Sequence, residues 1–568
     1  MLGLGCLMGL VTLVYVLRRA FGRQEGEIGG WEFRGAWGRI AAVARNTLAE
    51  GLRAKIASGF AVLILVGIPL FWLTAEGDGT VKGRTQMFMT YALGFTGFVL
   101  ALLTIFFSCR SLSFEVASRQ IYATISKPIP RWQILAGKWI GIMTLNVVLL
   151  AIACVATYAG TSAIVRGFRT HLTHELETYG GLTPQQATDA VAALDRVKGV
   201  GIEGRESPIV YAFAQAIGYS QQQVVDVLLR LPEVTRVDLR RFDELRRQVL
   251  VGRAAVSPDI PDLTEAIDKR YAQLEEEGRL PESWTRGKVR EQIEKNLIGD
   301  YSTVPPGTWR RWKLKGPVPE KDSDYIMSVR FKVHATAKMY AAAMPGGGTL
   351  EEDTMLCVWG IGDPTKPTFY ELREPFAVDS FTEYEIPVGC VEEDGTLLVA
   401  FANMDPRGGD AVFNLPGGLE VLYRVSSFEM SIFQVFLALL IPIACLASFG
   451  VCASTFLSFS VGTLIIITLF VISSSMGFVA EALAVTEEYV PPQYQDLRFQ
   501  LRRLSVDTIG WALSIGDCNP VGQLREGRVV GWPTLWENCW KFVLLKSGAV
   551  MLIALLVFRR RELAAVVV

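Results

Sequence analysis

The chain contains no G-x-x-x-x-G-K-[ST] stretch, so it lacks the glycine loop and lysine that cradle ATP phosphates, and ATP-driven work needs another subunit. Its nine cysteines are scattered, with no C-x-x-C pair and no Cys/His spacing that would build a zinc site. His171-x-x-His174-Glu175 could put two imidazoles on one helix face, but it matches no zinc motif. Neither sign of charge is in excess. With 56 Lys+Arg against 57 Asp+Glu, the global basic field that nucleic-acid binding would require is missing. The long apolar stretches are also almost free of ionisable groups: only Lys546 falls inside one, close enough to its end to snorkel. Midplane ionisable groups mark proton relays and ion paths, so their absence argues against a proton- or ion-coupled transporter.

What is present is unevenly distributed. Of 568 residues, half are hydrophobic and a fifth charged, yet the apolar residues gather in runs while the middle of the chain is polar. Apolar runs at Ile56–Thr74, about Met87–Cys109, Trp139–Gly160, Met430–Val451, about Phe456–Ala480 and Phe542–Phe558 predict six core transmembrane helices. Each can cross a hydrocarbon core of about 30 Å at 1.5 Å per residue. Pro69 and Pro442 are expected to kink two of them, and Asn146 to act as interhelical glue. Met1–Leu17 is apolar and ends in Arg18 and Arg19; without a cationic start or a small-residue cleavage site, it predicts a short extra helix rather than a signal peptide.

Cations fix the expected orientation. Arg34, Arg39, Arg45, Arg53 and Lys55 precede the first span, and Arg110, Arg119, Lys127, Arg131 and Lys138 fill the loop between the second and third. Arg559, Arg560 and Arg561 follow the sixth. The positive-inside rule then puts all of these in the cytoplasm and residues from about Arg166 to Phe428 outside.

The loop running from Ser111 to Lys138 predicts a short amphipathic helix, with Phe114, Ile121 and Ile125 on one side and Glu115, Arg119 and Gln120 towards water, stopped by Pro128 and Pro130. Its phrase Glu115, then Thr124-Ile125-Ser126-Lys127-Pro128, Arg131 and Gly137-Lys138 resembles the corresponding loop of ABC-2 type permeases, the membrane subunits of one class of ATP-binding-cassette transporters. Ile40–Arg53 looks like the amphipathic helix that leads into the family's first span, and Phe558–Leu563 like its usual ending. The resemblance covers about residues 38 to 160 and 428 to 564.

It implies that the loop docks on a separate ATPase, which would hold the ATP and magnesium; no cofactor is expected in this chain. It also implies a pairing of two permease halves, as a homodimer or with a second permease, in a bacterial cytoplasmic membrane. Glu115, Arg119 and Tyr122 are then the candidate ATPase contacts. Lys127, Arg131 and Lys138 are the candidate anchors to lipid phosphates. No catalytic, cofactor-binding or metal-binding residue is expected.

Compact members of that family have a short connection after the third span; here about 260 residues intervene. The expected organisation is an apolar and basic leader at 1–37, three spans and the loop at 38–164, a helical subdomain at 165–304 and an antiparallel β-sandwich at 305–427. Two spans follow at 428–480, a further outer segment at 481–541 and the last span with its basic end at 542–568. Thr183-Pro184-x-Gln186 and Ser220-x-x-Gln223 are capping boxes, and Asp262–Leu280 is helical. Strand-like runs occur at Ile326–Val333, Met355–Trp359, Phe381–Ile386, Thr396–Phe401 and Leu419–Tyr423. Trp309, Trp312, Trp359, Phe369 and Tyr370 fit a core as readily as a sugar-stacking surface. Leu497–Leu513 predicts a basic amphipathic helix on the membrane surface, and an oxidising exterior would allow Cys357–Cys390 and Cys518–Cys539 pairs.

These features support an ATP-driven permease for an unspecified substrate. The alternative is a mechanotransmitter that moves its outer domain against an envelope partner, with nothing passing through the bundle.

Overall fold

The computed structural model describes residues 32–53, 56–75, 77, 80–120, 129–194, 208–280, 286–316, 327–335, 354–415, 417–489, 510, 514 and 519–560. Met1–Leu17, Tyr122, Lys127, Cys518 and the Leu497–Leu513 stretch all fall on, or almost wholly on, positions outside these residues. The chain divides into two compact units. A membrane unit comprises the described residues up to Thr170, then Arg240–Leu250 and everything from Ser427 onward; an inserted unit comprises His171–Leu239 and Val251–Ser426.

The membrane unit opens with α1 (Glu32–Arg53), α2 (Ile56–Thr74), α3 (Val81–Ala117) and α4 (Arg131–Thr178), whose residues from His171 onward belong to the inserted unit. Helix α1 is amphipathic: Ile40, Ala44 and Thr47, at spacings of four and three, are buried. Helix α2 runs through Pro69. Helix α3 starts at Thr80, whose hydroxyl accepts from the Gly83 amide, and continues unbroken to Ala117. This corrects the expectation of a separate short helix beginning near Ser111. Nothing between Cys109 and Ala117 breaks helical geometry, so the second span simply extends beyond its apolar part. At 48 residues, α4 is about 70 Å long at 1.5 Å per residue, twice a hydrocarbon core and more.

In the inserted unit, α5 (Pro184–Ala193), α6 (Pro208–Ile217), α7 (Gln221–Arg230) and α8 (Glu233–Glu244) follow. Both expected capping boxes form, at Thr183/Gln186 and Ser220/Gln223. The last residues of α8 and a π-helical turn, Leu245–Val249, belong to the membrane unit. Next come β1 (Val251–Val256), α9 (Thr264–Glu276) and α10 (Arg286–Ser302).

The remaining strands are β2 (Thr303–Val304), β3 (Trp309–Lys315), β4 (Met327–Ala335), β5 (Thr354–Met355), β6 (Cys357–Ile361) and β7 (Tyr370–Leu372). They continue with β8 (Phe376–Ala377), β9 (Phe381–Ile386), β10 (Thr396–Asn403), β11 (Ala411–Phe413) and β12 (Leu419–Ser427). One sheet has the order β1-β12-β4-β11-β2 with β9 also on β4, a second the order β3-β10-β6-β7, and β5 pairs with β8 in a third. Strand β1 lies inside the stretch expected to be purely helical, yet it joins the first sheet.

One apolar core serves these strands, and alternation builds it: on β10 the side chains of Leu397, Val399 and Phe401 are buried at spacing two. Trp312 and Trp359 are core residues, in edge-to-face contact with Phe413 at 4.9 Å and Phe401 at 4.8 Å, whereas Trp309 is exposed. Cys357 and Cys390 are free thiols that donate to the Glu374 and Thr368 carbonyls, which removes the expected pair.

The membrane unit resumes with α11 (Phe428–Phe456), running through Pro442, and α12 (Phe459–Tyr489). It ends with α13 (Pro520–Arg525), α14 (Trp532–Asn538), a π-helical segment Cys539–Ser547 and α15 (Gly548–Arg560). Among the described residues, five helical stretches are long and apolar enough to cross a membrane: Ala57–Thr74, Val81–Ala117, Arg131–Thr178, Phe428–Phe456 and Trp532–Arg560. The remaining expected span corresponds to α12, whose described apolar part, Phe459–Ser475, is shorter. Asn146 does bridge helices: its side-chain oxygen accepts from the Thr104 hydroxyl at 3.1 Å, joining α3 to α4.

Candidate functional site

The last turn of α3 and the second turn of α4 meet through a buried ion pair. Lys138 Nζ donates to Glu115 Oε1 at 2.7 Å and to the Ser111 carbonyl at 2.7 Å, and the two side chains are 2% and 9% exposed. A helix favours cations, not carboxylates, at its C-terminal end. Glu115 occupies the C-terminal turn of α3 with Lys138 supplying that cation.

Helix α1 closes the cluster. Gly137 and Gly141, one turn apart on α4, let it approach: a Cβ at Gly137 would lie 2.6 Å from Val43 Cβ, and one at Gly141 would lie 2.7 Å from the Ala44 carbonyl. Arg39 Nε donates to Gln133 Oε1 at 3.0 Å across the same contact. Gly51 packs against the Phe107 ring of α3, with 2.6 Å between an added Cβ and the ring. Glu50, one residue before it, adds a second carboxylate beside Glu115 and Lys138.

Burial pushes the Glu50 carboxyl above its ordinary value of 4.5 and Glu115 adds to this, while Lys138 and Asn46, whose amide donates to Glu50 Oε1 at 3.2 Å, pull it back down. Because the folded value is the higher one, the stability tied to Glu50 is complete below the unfolded value and is lost as pH rises through the folded value. Glu50→Gln is therefore expected to raise the melting temperature near neutral pH and to flatten its decline above about pH 4.5 relative to the unaltered chain. Melting curves across pH 4 to 8 that superimpose for the two proteins would remove this role.

The other expected site residues separate. Arg131 Nη1 donates to the carbonyl oxygens of Phe558 and of Arg559, the latter at 2.8 Å, and its guanidinium lies 5.4 Å from the Phe558 ring. It thus caps the C-terminus of α15, where a cation answers unsatisfied carbonyls. Lys138 and Arg131, both expected at lipid phosphates, spend their hydrogen bonds inside the protein. Glu115, expected to face a partner, is covered. Arg119 alone of the described candidates is exposed; it sits just past α3 with φ of 60°, a left-handed conformation uncommon outside glycine. Tyr122 and Lys127 lie outside the described residues.

The sequence held a signal for the buried pair: Glu115 is the one acid between Asp78 and Glu175, in a stretch with cations on either side of it. Gly137-x-x-x-Gly141 likewise gave the close helix approach. Among the described residues, no group of three or more His, Cys, Asp or Glu side chains is placed to hold a metal.

The segment that contains the whole cluster, from α1 to the end of α4, coincides with a family match over residues 35–178, described as ABC-2 family transporter protein. Residues 35–178 are an ABC-2 family transporter domain. No curated protein and no solved structure matches the chain. With five membrane-length apolar helices among the described residues, the chain is a multi-pass membrane protein that carries an ABC-2 family transporter domain, and the inserted unit, apart from His171–Thr178, lies outside that match.

Proposed function

We propose that the chain is the permease subunit of an ABC-2 type transporter, coupling ATP hydrolysis on a separate ATP-binding-cassette subunit to movement of a substrate across the cytoplasmic membrane. The observation that supports this best is the buried Glu115–Lys138 pair inside the ABC-2 domain. It fastens the ends of the second and third spans to each other, next to the packed α1, so a push on the connecting loop reaches two long helices together. Rigid elements joined in this way convert nucleotide-driven closure into rigid-body motion. In this reading ATP and magnesium stay on the partner, two permease halves associate, and the cation-rich loop faces the cytoplasm by the positive-inside rule.

The surface contact falls to Arg119 and its neighbours, since Glu115 is covered. Arg119→Glu is expected to weaken association with a cognate ATP-binding-cassette ATPase by about threefold to tenfold in Kd, roughly 0.6–1.4 kcal/mol. Co-purification and stimulated hydrolysis both read it; unchanged values would remove Arg119 from the interface.

A second reading, force transmission to an envelope partner without cargo, is favoured by one observation. The Arg240–Leu250 segment leaves the inserted part of the sequence and packs in the membrane unit, where Lys82, at the start of α3, donates to Gln248 Oε1. Reconstituted vesicles separate the two readings: ATP turnover with no flux of any supplied solute supports force transmission.

A further inference from the structure

The end of α4 remote from Lys138 carries a cavity that the charge cluster does not use. Tyr158 follows Lys138 by 20 residues, about 30 Å of helix, which is one hydrocarbon thickness. There Tyr158, Thr161, Arg166 and Arg169 of α4 and Glu429 of α11 line a cavity of about 290 Å³, all within the membrane unit. Ser162, Val165, Leu250 and Phe428 complete its walls.

Its polar groups are prepared for a guest. Thr157 and Thr170 return their hydroxyls to the carbonyls of Ala153 and Arg166, at 2.9 and 3.1 Å. Thr161, on the same helix and 1% exposed, does not: its hydroxyl has no hydrogen-bond partner. A buried hydroxyl left open is costly, and a ligand atom removes that cost. Arg169 is held 5.6 Å from the Phe242 ring, itself stacked on Phe168. Arg166 folds back so that its Nε donates to the Ser162 carbonyl at 3.2 Å, which draws its guanidinium towards the Tyr158 end. At that end Tyr158 donates to Glu429 Oε1 at 3.3 Å, and its ring stacks on Phe428.

Two guanidiniums and one carboxylate in a single cavity select a guest bearing both signs. A wholly anionic guest leaves Glu429 opposed, and a wholly cationic one opposes both arginines. A carboxylate that already accepts from a tyrosine suits a hydrogen-bonding primary ammonium, while guanidiniums lining the same cavity suit a phosphate. Towards the bilayer centre, Ile152 and Val155 on α4 and Met430 and Phe433 on α11 are exposed apolar side chains, at the depth acyl chains would occupy.

We propose that this cavity seats the headgroup of a zwitterionic phospholipid with a primary amine. The phosphate lies on Arg166, Arg169 and the Thr161 hydroxyl, the ammonium lies against Glu429, and the acyl chains run along α4 and α11. The site needs only the membrane unit, so it stands whether the bundle carries cargo or force.

The test uses the full chain in detergent, titrated separately with phosphatidylethanolamine, phosphatidylglycerol and soluble glycerophosphoethanolamine, with bound lipid counted by native mass spectrometry. Phosphatidylethanolamine is expected to bind about tenfold more tightly than phosphatidylglycerol, Glu429→Gln to abolish that preference, and Arg166→Gln to weaken both lipids about fivefold or more. Glu429 and Arg166 are exposed, and unchanged melting temperatures without added lipid show that both variants fold. Equal binding of the two lipids by the unaltered chain, or a preference that survives Glu429→Gln, overturns the proposal. So does soluble glycerophosphoethanolamine binding as tightly as the lipid.

Discussion

Glu115→Leu alone is expected to cost about 3–5 kcal/mol of stability, because it leaves the Lys138 ammonium buried without a counter-charge. Lys138→Met alone should do comparable damage from the other side. The double variant Glu115→Leu/Lys138→Met should recover most of the loss, since two apolar side chains of similar volume need no charge compensation. Melting temperatures of the four proteins in detergent form the cycle. Additive losses, with no recovery in the double variant, would show that the two side chains act separately. The same cycle read as ATPase stimulation asks a different question: a refolded but uncoupled double variant would assign the pair a part in transmission as well as in packing.

Gly450→Val is the other substitution with a large expected effect. Gly450 lies on α11 where that helix meets α3, and an added Cβ would occupy the place of the Ser108 hydroxyl and stand 2.6 Å from Ser108 Cβ. Ser108 is fully buried and cannot swing away, so helix separation or strain of at least about 1–3 kcal/mol follows. The milder Gly450→Ala should be rescued in part by Ser108→Gly, which removes both clashing atoms. Gly94→Ala serves as the control: nothing lies within 4 Å of its added Cβ, and in the middle of α3 it should be neutral or stabilise by up to about 1 kcal/mol. If Gly450→Val melts with the unaltered chain, the close α3–α11 contact is incorrect.

Much of the architecture was readable because it rests on local pattern. Apolar length located five helices long enough to span a membrane and a sixth, shorter apolar one, and the Thr183 and Ser220 capping boxes start α5 and α7 as their spacing required. Period-two runs gave β9 with its bounds, β4 and β10 to within two residues at either end, and the first part of β12, which continues to Ser427. Strand β3 was not picked out, because Trp309, Arg311, Lys313 and Lys315 crowd its exposed face and mask the buried alternation of Trp312 and Leu314. Strand β1 was missed for another reason: six residues between helices gain their strand identity from β12, a partner far along the chain.

The candidate site was legible as a region but not as an arrangement. Along the Ser111–Lys138 sequence no charge carries a sign of its partner, and a lone lysine near a membrane reads as a lipid contact. Whether Lys138 points at lipid or protein is decided by α1, whose close approach through Gly137 and Gly141 covers the junction. Arg131 depends in the same way on the end of α15, more than 400 residues later. Hydropathy carries no information on such pairings, since they are properties of the packed bundle.

The burial of Lys138 has a practical consequence. An amine sealed from water and hydrogen-bonded to a carboxylate resists acylating and methylating reagents until the junction around it parts. Its rate of chemical modification, compared with and without nucleotide and the partner ATPase, is therefore an intrinsic clock for the opening of that junction, available in the unaltered protein without attaching a dye or a spin label.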